Sequence, residues 1–187
     1  MAEYDKIFGV GLNKTGTTSL AHALNTIGFN CLSWDPRAMT LFSEKKISEL
    51  YQHIALYEGF VDWPWPLMVN QLLDKYGERG RYILTKRQSP RVWLESLKRH
   101  AVLMGSKASP REKIYGYRYP HENEAHHIDY YQRHNAQIHS TFKERGLSHV
   151  LLEVCWENGD GWQELCRFLS VSEPSGIFPH LNVSSKR

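Results

Sequence analysis

One stretch near the start of the chain, KIFGV followed by GLNKTGTTSL and AHALNTIG, restricts the possible folds more than any other. Ile7, Phe8 and Val10 make a short apolar strand, residues 11–16 a tight loop with a glycine at each end, and Leu20, Leu24 and Ile27 one face of a helix. A strand, glycine loop and helix in that order form an anion cradle, because successive loop N–H groups converge and the helix start adds unpaired donors and the positive end of its dipole. Asn13, Lys14, Thr15, Gly16, Thr17, Thr18 and Ser19 are the candidate binding residues, and a phosphate or sulfate is the expected occupant. The plain alternative is an ordinary glycine-rich turn.

The spacing from Gly11 to Gly16 matches the Walker A pattern, yet that pattern continues with Lys and then Ser or Thr, whereas Thr17 and Thr18 follow here. Lys14 is the only lysine in the loop, displaced toward the strand. A metal-dependent nucleotide hydrolase is disfavoured by that displacement.

The rest of the chain repeats the strand and helix alternation. Strands are expected at residues 7–10, 29–33, 60–62, 82–86 and 150–154, and helical periods run through Ile47, Leu50, Ile54 and through Met68, Leu72, Tyr76. Parallel neighbours require crossovers, so the expectation is an α/β three-layer fold: a central, mostly parallel sheet of about five strands flanked by helices. Ligands in such sheets sit at the carboxyl ends of strands, so the loop after Val10, the Asp62 turn and the Arg87 turn should converge. A chain of 187 residues reads most simply as one domain, residues 1–187. Residues 105–121 read as a long surface connection, a helix is expected from about Glu122 to Arg145, and residues 170–187 as an irregular tail.

A second candidate site lies after the fourth strand, where Arg87 is followed by Ser89-Pro90 and a helix with Trp93, Leu97, Ala101 and Met104 as its buried stripe. Ser96, at the edge of that stripe and near solvent, could flank an anion together with Arg87. Arg87 could instead pair with Glu95 or a loop carboxylate, and Ser96 could be an ordinary surface serine.

KTGTTSL after an apolar strand and the element ILTKRQSPRVWLESLKRH together resemble the two donor-binding motifs of P-loop sulfotransferases, in particular the small soluble members. YYQRHN, VLLEV with GWQELCRFL, and FPHLN are similar to later stretches of that group, so the resemblance covers nearly the whole chain. It implies 3′-phosphoadenosine-5′-phosphosulfate (PAPS) as donor and 3′-phosphoadenosine-5′-phosphate (PAP) as product. The loop would hold the phosphosulfate, and Arg87 and Ser96 the 3′-phosphate. Gln88 stands where the family often has an acid.

Sulfuryl transfer, like phosphoryl transfer, demands an in-line arrangement and neutralisation of charge on the leaving phosphate. Lys14 is the natural cation for that oxygen. Asp62 is the first candidate for the base that takes the acceptor proton, with a position resembling the catalytic glutamate of carbohydrate sulfotransferases. It would need a pKa raised by burial, and its alternative is to cap the following turn. His100 is the second candidate base. The acceptor is expected to be a small-molecule or carbohydrate-type hydroxyl or amine.

No metal is expected, since no set of carboxylates and histidines is clustered in the sequence. His126, His127 and His134 read as a solvated helix face. Trp63, Trp65 and Trp93 read as core, with an acceptor or adenine pocket as the alternative. A net charge of +3, from 23 basic and 20 acidic residues, gives no reason to expect nucleic acid. The apolar runs are short of a membrane span, the start MAEYDKIF lacks signal-peptide regions, and Cys31, Cys155 and Cys166 form no CxxC pair. A cytoplasmic enzyme is therefore expected, and a homodimer is compatible with it. Rival readings are a P-loop kinase using ATP and Mg²⁺, or a noncatalytic nucleotide-binding module.

Overall fold

A computed structural model describes residues 4–105 and 110–181. Five strands, β1 (Lys6–Gly9), β2 (Cys31–Leu32), β3 (Gly59–Phe60), β4 (Gly80–Thr85) and β5 (Leu151–Val154), form one sheet in the order β2-β3-β1-β4-β5. Every neighbouring pair is parallel, with Ile7 opposite Gly59 and Phe8 opposite Tyr82. The three-layer α/β expectation holds. All five strands occur where expected, with ends displaced by up to two residues.

The connections among the described residues supply α1 (Thr17–Thr26), α2 (Pro36–Ser43), α3 (Ile47–Ile54), α4 (Val69–Tyr76), α5 (Pro90–Met104), α6 (Arg111–Tyr115), α7 (Glu124–Glu144) and α8 (Trp162–Leu169). Caps fix several of their starts. Ser89 accepts the Val92 N–H with Pro90 at the first helical position, and Asn123 accepts the His126 N–H. Asp35 does the same for α2 by accepting the Arg37 N–H.

Successive strand side chains point to opposite faces, and both faces of this sheet are covered. Phe8 packs on Phe60 and Tyr82 at ring separations of 5.2 and 5.7 Å, and that face buries α3, α4 and the end of α7 through Leu50, Leu72 and Phe142. Ile7, Val61 and Ile83 face the other way, against Leu20 and Leu24 of α1 and Leu165 and Leu169 of α8. Truncating a ring as enclosed as Phe8 to alanine removes about 3–5 kcal/mol. A third apolar cluster, with Leu12, Met39, Trp63, Trp93, Leu97, Tyr115 and Tyr131, joins the loops beyond β1 and β3 to α5, α6 and α7.

Several expectations need correction. The connection over residues 105–121 is only partly a surface loop, because α6 lies in it and buries Arg111 and Tyr115. Residues 106–109 of that connection, and Asn182 onward in the tail, lie outside the described residues. Met104 is 47% exposed and leaves the α5 stripe, whereas Ser96 is buried at 7% exposure and not near solvent. His127 is buried with Nδ1 against the Asn123 carbonyl, and His134 Nε2 donates to the Val10 carbonyl at 2.8 Å, so these two do not line a solvated face. Trp63, Trp65 and Trp93 are all buried. Among the described residues no helix is long and apolar enough to cross a membrane.

Candidate active site

Because β1 lies between β3 and β4, the three strand ends that carry Lys14, Asp62 and Arg87 are immediate neighbours. The loop that leaves β1 is pressed against the surrounding protein at both glycines. A Cβ added to Gly11 would lie 2.3 Å from Thr85 Oγ1 and 2.4 Å from the Thr85 carbonyl oxygen, so only glycine lets the loop pass over the end of β4. Gly16, at φ +97, would put a Cβ 2.4 Å from Trp156 Cδ1. It is the residue before α1, with no side-chain cap and no acidic residue in the first turn. The positive end of that helix is therefore left uncovered for an anion.

The hydroxyls and amide of the loop divide into two groups. Thr15 Oγ1 donates to the Leu12 carbonyl at 2.5 Å and meets Thr85 Oγ1 at 2.6 Å, both buried. Asn13 is buried as well, its carbonyl accepting from Trp93 Nε1 at 2.9 Å and its Oδ1 from the Tyr115 hydroxyl at 2.6 Å. These two side chains shape the loop. Thr18 is exposed, Thr17 Oγ1 donates to Asp62 Oδ2 at 3.2 Å, and Ser19 Oγ accepts the Leu181 N–H at 3.0 Å. Ser19 is thereby engaged by the tail, where Phe178 packs on Trp156 at 4.5 Å.

Lys14 adopts a left-handed backbone at φ +67, uncommon for a residue other than glycine. Burial pushes its ammonium below the usual lysine range, the Asp62 carboxylate opposes that, and Arg87 and Arg99 add to it. Asp62 is also left-handed, at φ +70. Its Oδ1 accepts the Trp63 N–H at 2.8 Å, so it does cap its own turn, and its Oδ2 takes the Thr17 hydroxyl. Burial raises its pKa above the usual carboxylate range, against the hydrogen bonds from Trp63 and Thr17 and the charge of Lys14. Asp62 as a whole residue is half-buried.

His100 is pulled the other way. Burial, then the charges of Lys14 and Arg111, lower its pKa to about 4, and its Nδ1 is buried without a hydrogen-bond partner among the described residues. At neutral pH it is an uncharged imidazole of weak basicity.

Arg87 reaches the loop directly: Nη1 donates to the Lys14 carbonyl at 3.3 Å, while Nε is buried with no partner among the described residues. Its Nη2 pairs with Glu157 at 2.5 Å, so the pairing with a loop carboxylate does occur, and Glu95 pairs with Lys98 instead. Glu157 also accepts the Gln88 N–H and its carbonyl the Gln88 amide. An acid thus stands beside the strand arginine, supplied from beyond β5 rather than by the next residue. Ser96 lies buried on α5, two turns after Ser89.

Glu157, Trp156, Tyr115 and Tyr131 border the site without having been singled out from the sequence, and His134 meets the Val10 carbonyl instead of solvent. Trp156 and Glu157 were accessible to the rule that sites gather at strand ends, since they follow β5. The tyrosines lie among other aromatics, and nothing in their spacing distinguishes them.

Comparison with known proteins agrees with the fold and the motifs. The sulfotransferase domain family matches residues 6–187, and the chain belongs to that family. A protein named Ava biosynthesis cluster protein M, from Aspergillus versicolor, is 25% identical over 221 aligned residues, covering 96% of this chain and 81% of that protein. Among the described residues no group of three or more His, Cys, Asp and Glu side chains is placed to hold a metal ion.

Proposed function

We propose that this sulfotransferase-family chain moves a sulfuryl group from PAPS to a hydroxyl or amine of a small-molecule acceptor. The observation that carries the reading is the junction of Arg87 with the loop at the Lys14 carbonyl, which brings two cationic side chains and an uncapped helix start onto one sheet edge. The unpartnered Nε of Arg87 fits the same reading, because a 3′-phosphate would supply the missing acceptor.

In this scheme the loop amides and the start of α1 hold the 5′-phosphosulfate. Thr18 adds its exposed hydroxyl while the Thr17 hydroxyl stays on Asp62, and Arg87 takes the 3′-phosphate together with Ser96. Asp62 accepts the proton as the acceptor oxygen or nitrogen bonds to sulfur. The bond from sulfur to the 5′-phosphate oxygen breaks, and its electron pair stays on PAP. Lys14 then stands nearest the oxygen on which negative charge grows. Loop amides, the start of α1, Lys14 and Arg87 surround the donor's anionic groups, and the scheme draws on no metal.

Asp62 is a better base than His100 for a stated reason. General bases work best with a pKa near the operating pH, and burial moves Asp62 toward neutrality while His100 is held at about 4. Trp34 is exposed and meets the buried Trp63 edge-on at 6.3 Å, which offers an acceptor an aromatic surface on the side of the Asp62 turn.

Calorimetric titration of the purified chain with PAP, against ATP with Mg²⁺, tests the donor. PAP is expected to bind more tightly, and a preference for ATP with Mg²⁺ would overturn the reading in favour of a kinase. Transfer of labelled sulfuryl groups from PAPS to a mixture of phenols, alcohols and amines tests the chemistry. PAP binding without transfer to any of them would favour a noncatalytic module.

A further inference from the structure

Three buried aromatic side chains outside the reacting set meet all three strand ends of the site. Trp93 of α5 stacks on Tyr131 of α7 at 4.8 Å and 21°, and meets Tyr115 of α6 edge-on at 6.0 Å and 77°. Each ring also makes a polar bond to the site. Trp93 Nε1 donates to the Asn13 carbonyl at 2.9 Å, the Tyr115 hydroxyl donates to Asn13 Oδ1 at 2.6 Å, and the Tyr131 hydroxyl accepts the Arg87 N–H at 3.0 Å. Tyr115 further packs on Trp63, the residue after Asp62, at 5.8 Å.

Aromatic side chains have only two rotatable angles and are stiff once packed, so a stack of this kind fixes the distance between whatever its edges hold. One edge holds the residue before Lys14 and another holds the backbone of Arg87. The loop is also tied to the end of β4 by the 2.6 Å contact of Thr15 Oγ1 with Thr85 Oγ1, and to the arginine itself by the 3.3 Å bond from Arg87 Nη1 to the Lys14 carbonyl.

We propose that Tyr115, Trp93 and Tyr131 are positioning residues that set the separation of the two anion pockets, and so select a nucleotide bearing both a 5′- and a 3′-phosphate over one bearing the 5′-phosphate alone. This rests on the donor reading above. A nucleotide with two phosphates gains from the second pocket only when that pocket sits at the right distance. A nucleotide with one phosphate is indifferent to it. The quantity that reports the brace is therefore a ratio, the affinity for PAP divided by the affinity for adenosine 5′-monophosphate.

Both nucleotides are titrated into the wild-type chain and into Tyr115→Phe, Tyr131→Phe and Tyr82→Phe. Tyr82 is the control, because its hydroxyl makes a buried bond to the Leu72 carbonyl at 3.3 Å on the sheet face packed by α4, away from the loop. Tyr115→Phe strands a buried Asn13 oxygen and is expected to lower the ratio about tenfold, with Tyr131→Phe in the same direction. Tyr82→Phe is expected to lower Tm and leave the ratio unchanged. Tyr131→Phe reads out the same brace at the other pocket should Tyr115→Phe not fold. An unchanged ratio in the tyrosine variants that fold, or an equal fall in the control, would overturn the brace and leave the donor reading intact. A wild-type chain that binds the two nucleotides equally would overturn the donor reading itself.

Discussion

The loop leaving β1 and the turn leaving β3 stand side by side, and each is built around one left-handed residue, Lys14 at φ +67 and Asp62 at φ +70. Burial acts on both toward loss of charge, lowering the lysine pKa and raising that of the aspartate. They differ in what is fixed. Around Lys14 the backbone is clamped by Thr85, Trp93, Arg87 and Trp156, while its ammonium makes no ion pair among the described residues. At Asp62 the carboxylate itself is fixed, one oxygen by the Trp63 N–H and the other by Thr17. Under the proposed transfer, a cation without a fixed partner suits a charge that develops during reaction, and a carboxylate held in place suits the removal of a proton.

Removing each group tests that division. Lys14→Ala is expected to have the largest effect, lowering kcat about 10³-fold with a smaller change in PAP affinity, as for a group that acts mainly in the transition state. Equal losses in both would break the contrast, since Lys14 would then be a ground-state contact.

Asp62→Asn is expected to lower kcat about 10²-fold. Its pKa is raised in the folded chain, so the native state binds the proton more tightly than the unfolded chain does. The resulting penalty is absent below the ordinary carboxylate range, grows as pH rises through the folded value, and persists at neutral pH. Asp62→Asn should therefore raise Tm at pH 7 and bring no such gain near pH 3. The wild-type rate should rise with pH along a limb displaced above the ordinary carboxylate range, and a limb at the ordinary position would remove Asp62 from the role of base.

Arg87→Ala should weaken PAP about tenfold or more with kcat less affected, which titration and steady-state kinetics separate. Glu157→Gln sharpens the point. It removes the carboxylate that competes with a phosphate for Arg87 and keeps an acceptor for Gln88, so PAP binding should tighten several-fold. Weaker binding would mean that Glu157 orients Arg87 instead.

The smallest effect is expected from His100→Gln, within about threefold in kcat, because an imidazole with its pKa at about 4 carries no proton at neutral pH and gives no limb between pH 5 and 8. A loss as large as that of Asp62→Asn would exchange the two candidate bases.

Much of this arrangement was legible in the chain. The loop, the five strands and the capped start of α5 follow from short-range rules: alternation of apolar residues, glycine where the backbone must turn sharply or pass closely, and Ser-Pro at a helix start. The nearness of the Asp62 and Arg87 turns to the loop was legible because each follows a strand, and parallel sheets gather their ends. The α5 stripe alone puts Ser96 at the surface, because it carries no information on the tertiary packing that buries this residue. His134 was read as solvated for a similar reason, since no local pattern announces that its ring meets the Val10 carbonyl.

Chain-local patterns suffice for the elements and for which residues follow each strand, because periodicity, caps and glycine positions act within a few residues of one another. The order of the strands, the approach of Glu157 to Arg87, the opposite pKa displacements of Asp62 and His100, and the aromatic stack joining Asn13 to Arg87 come from the packing of distant segments. Those depend on desolvation and on contacts between residues tens of positions apart, which chain-local patterns do not encode.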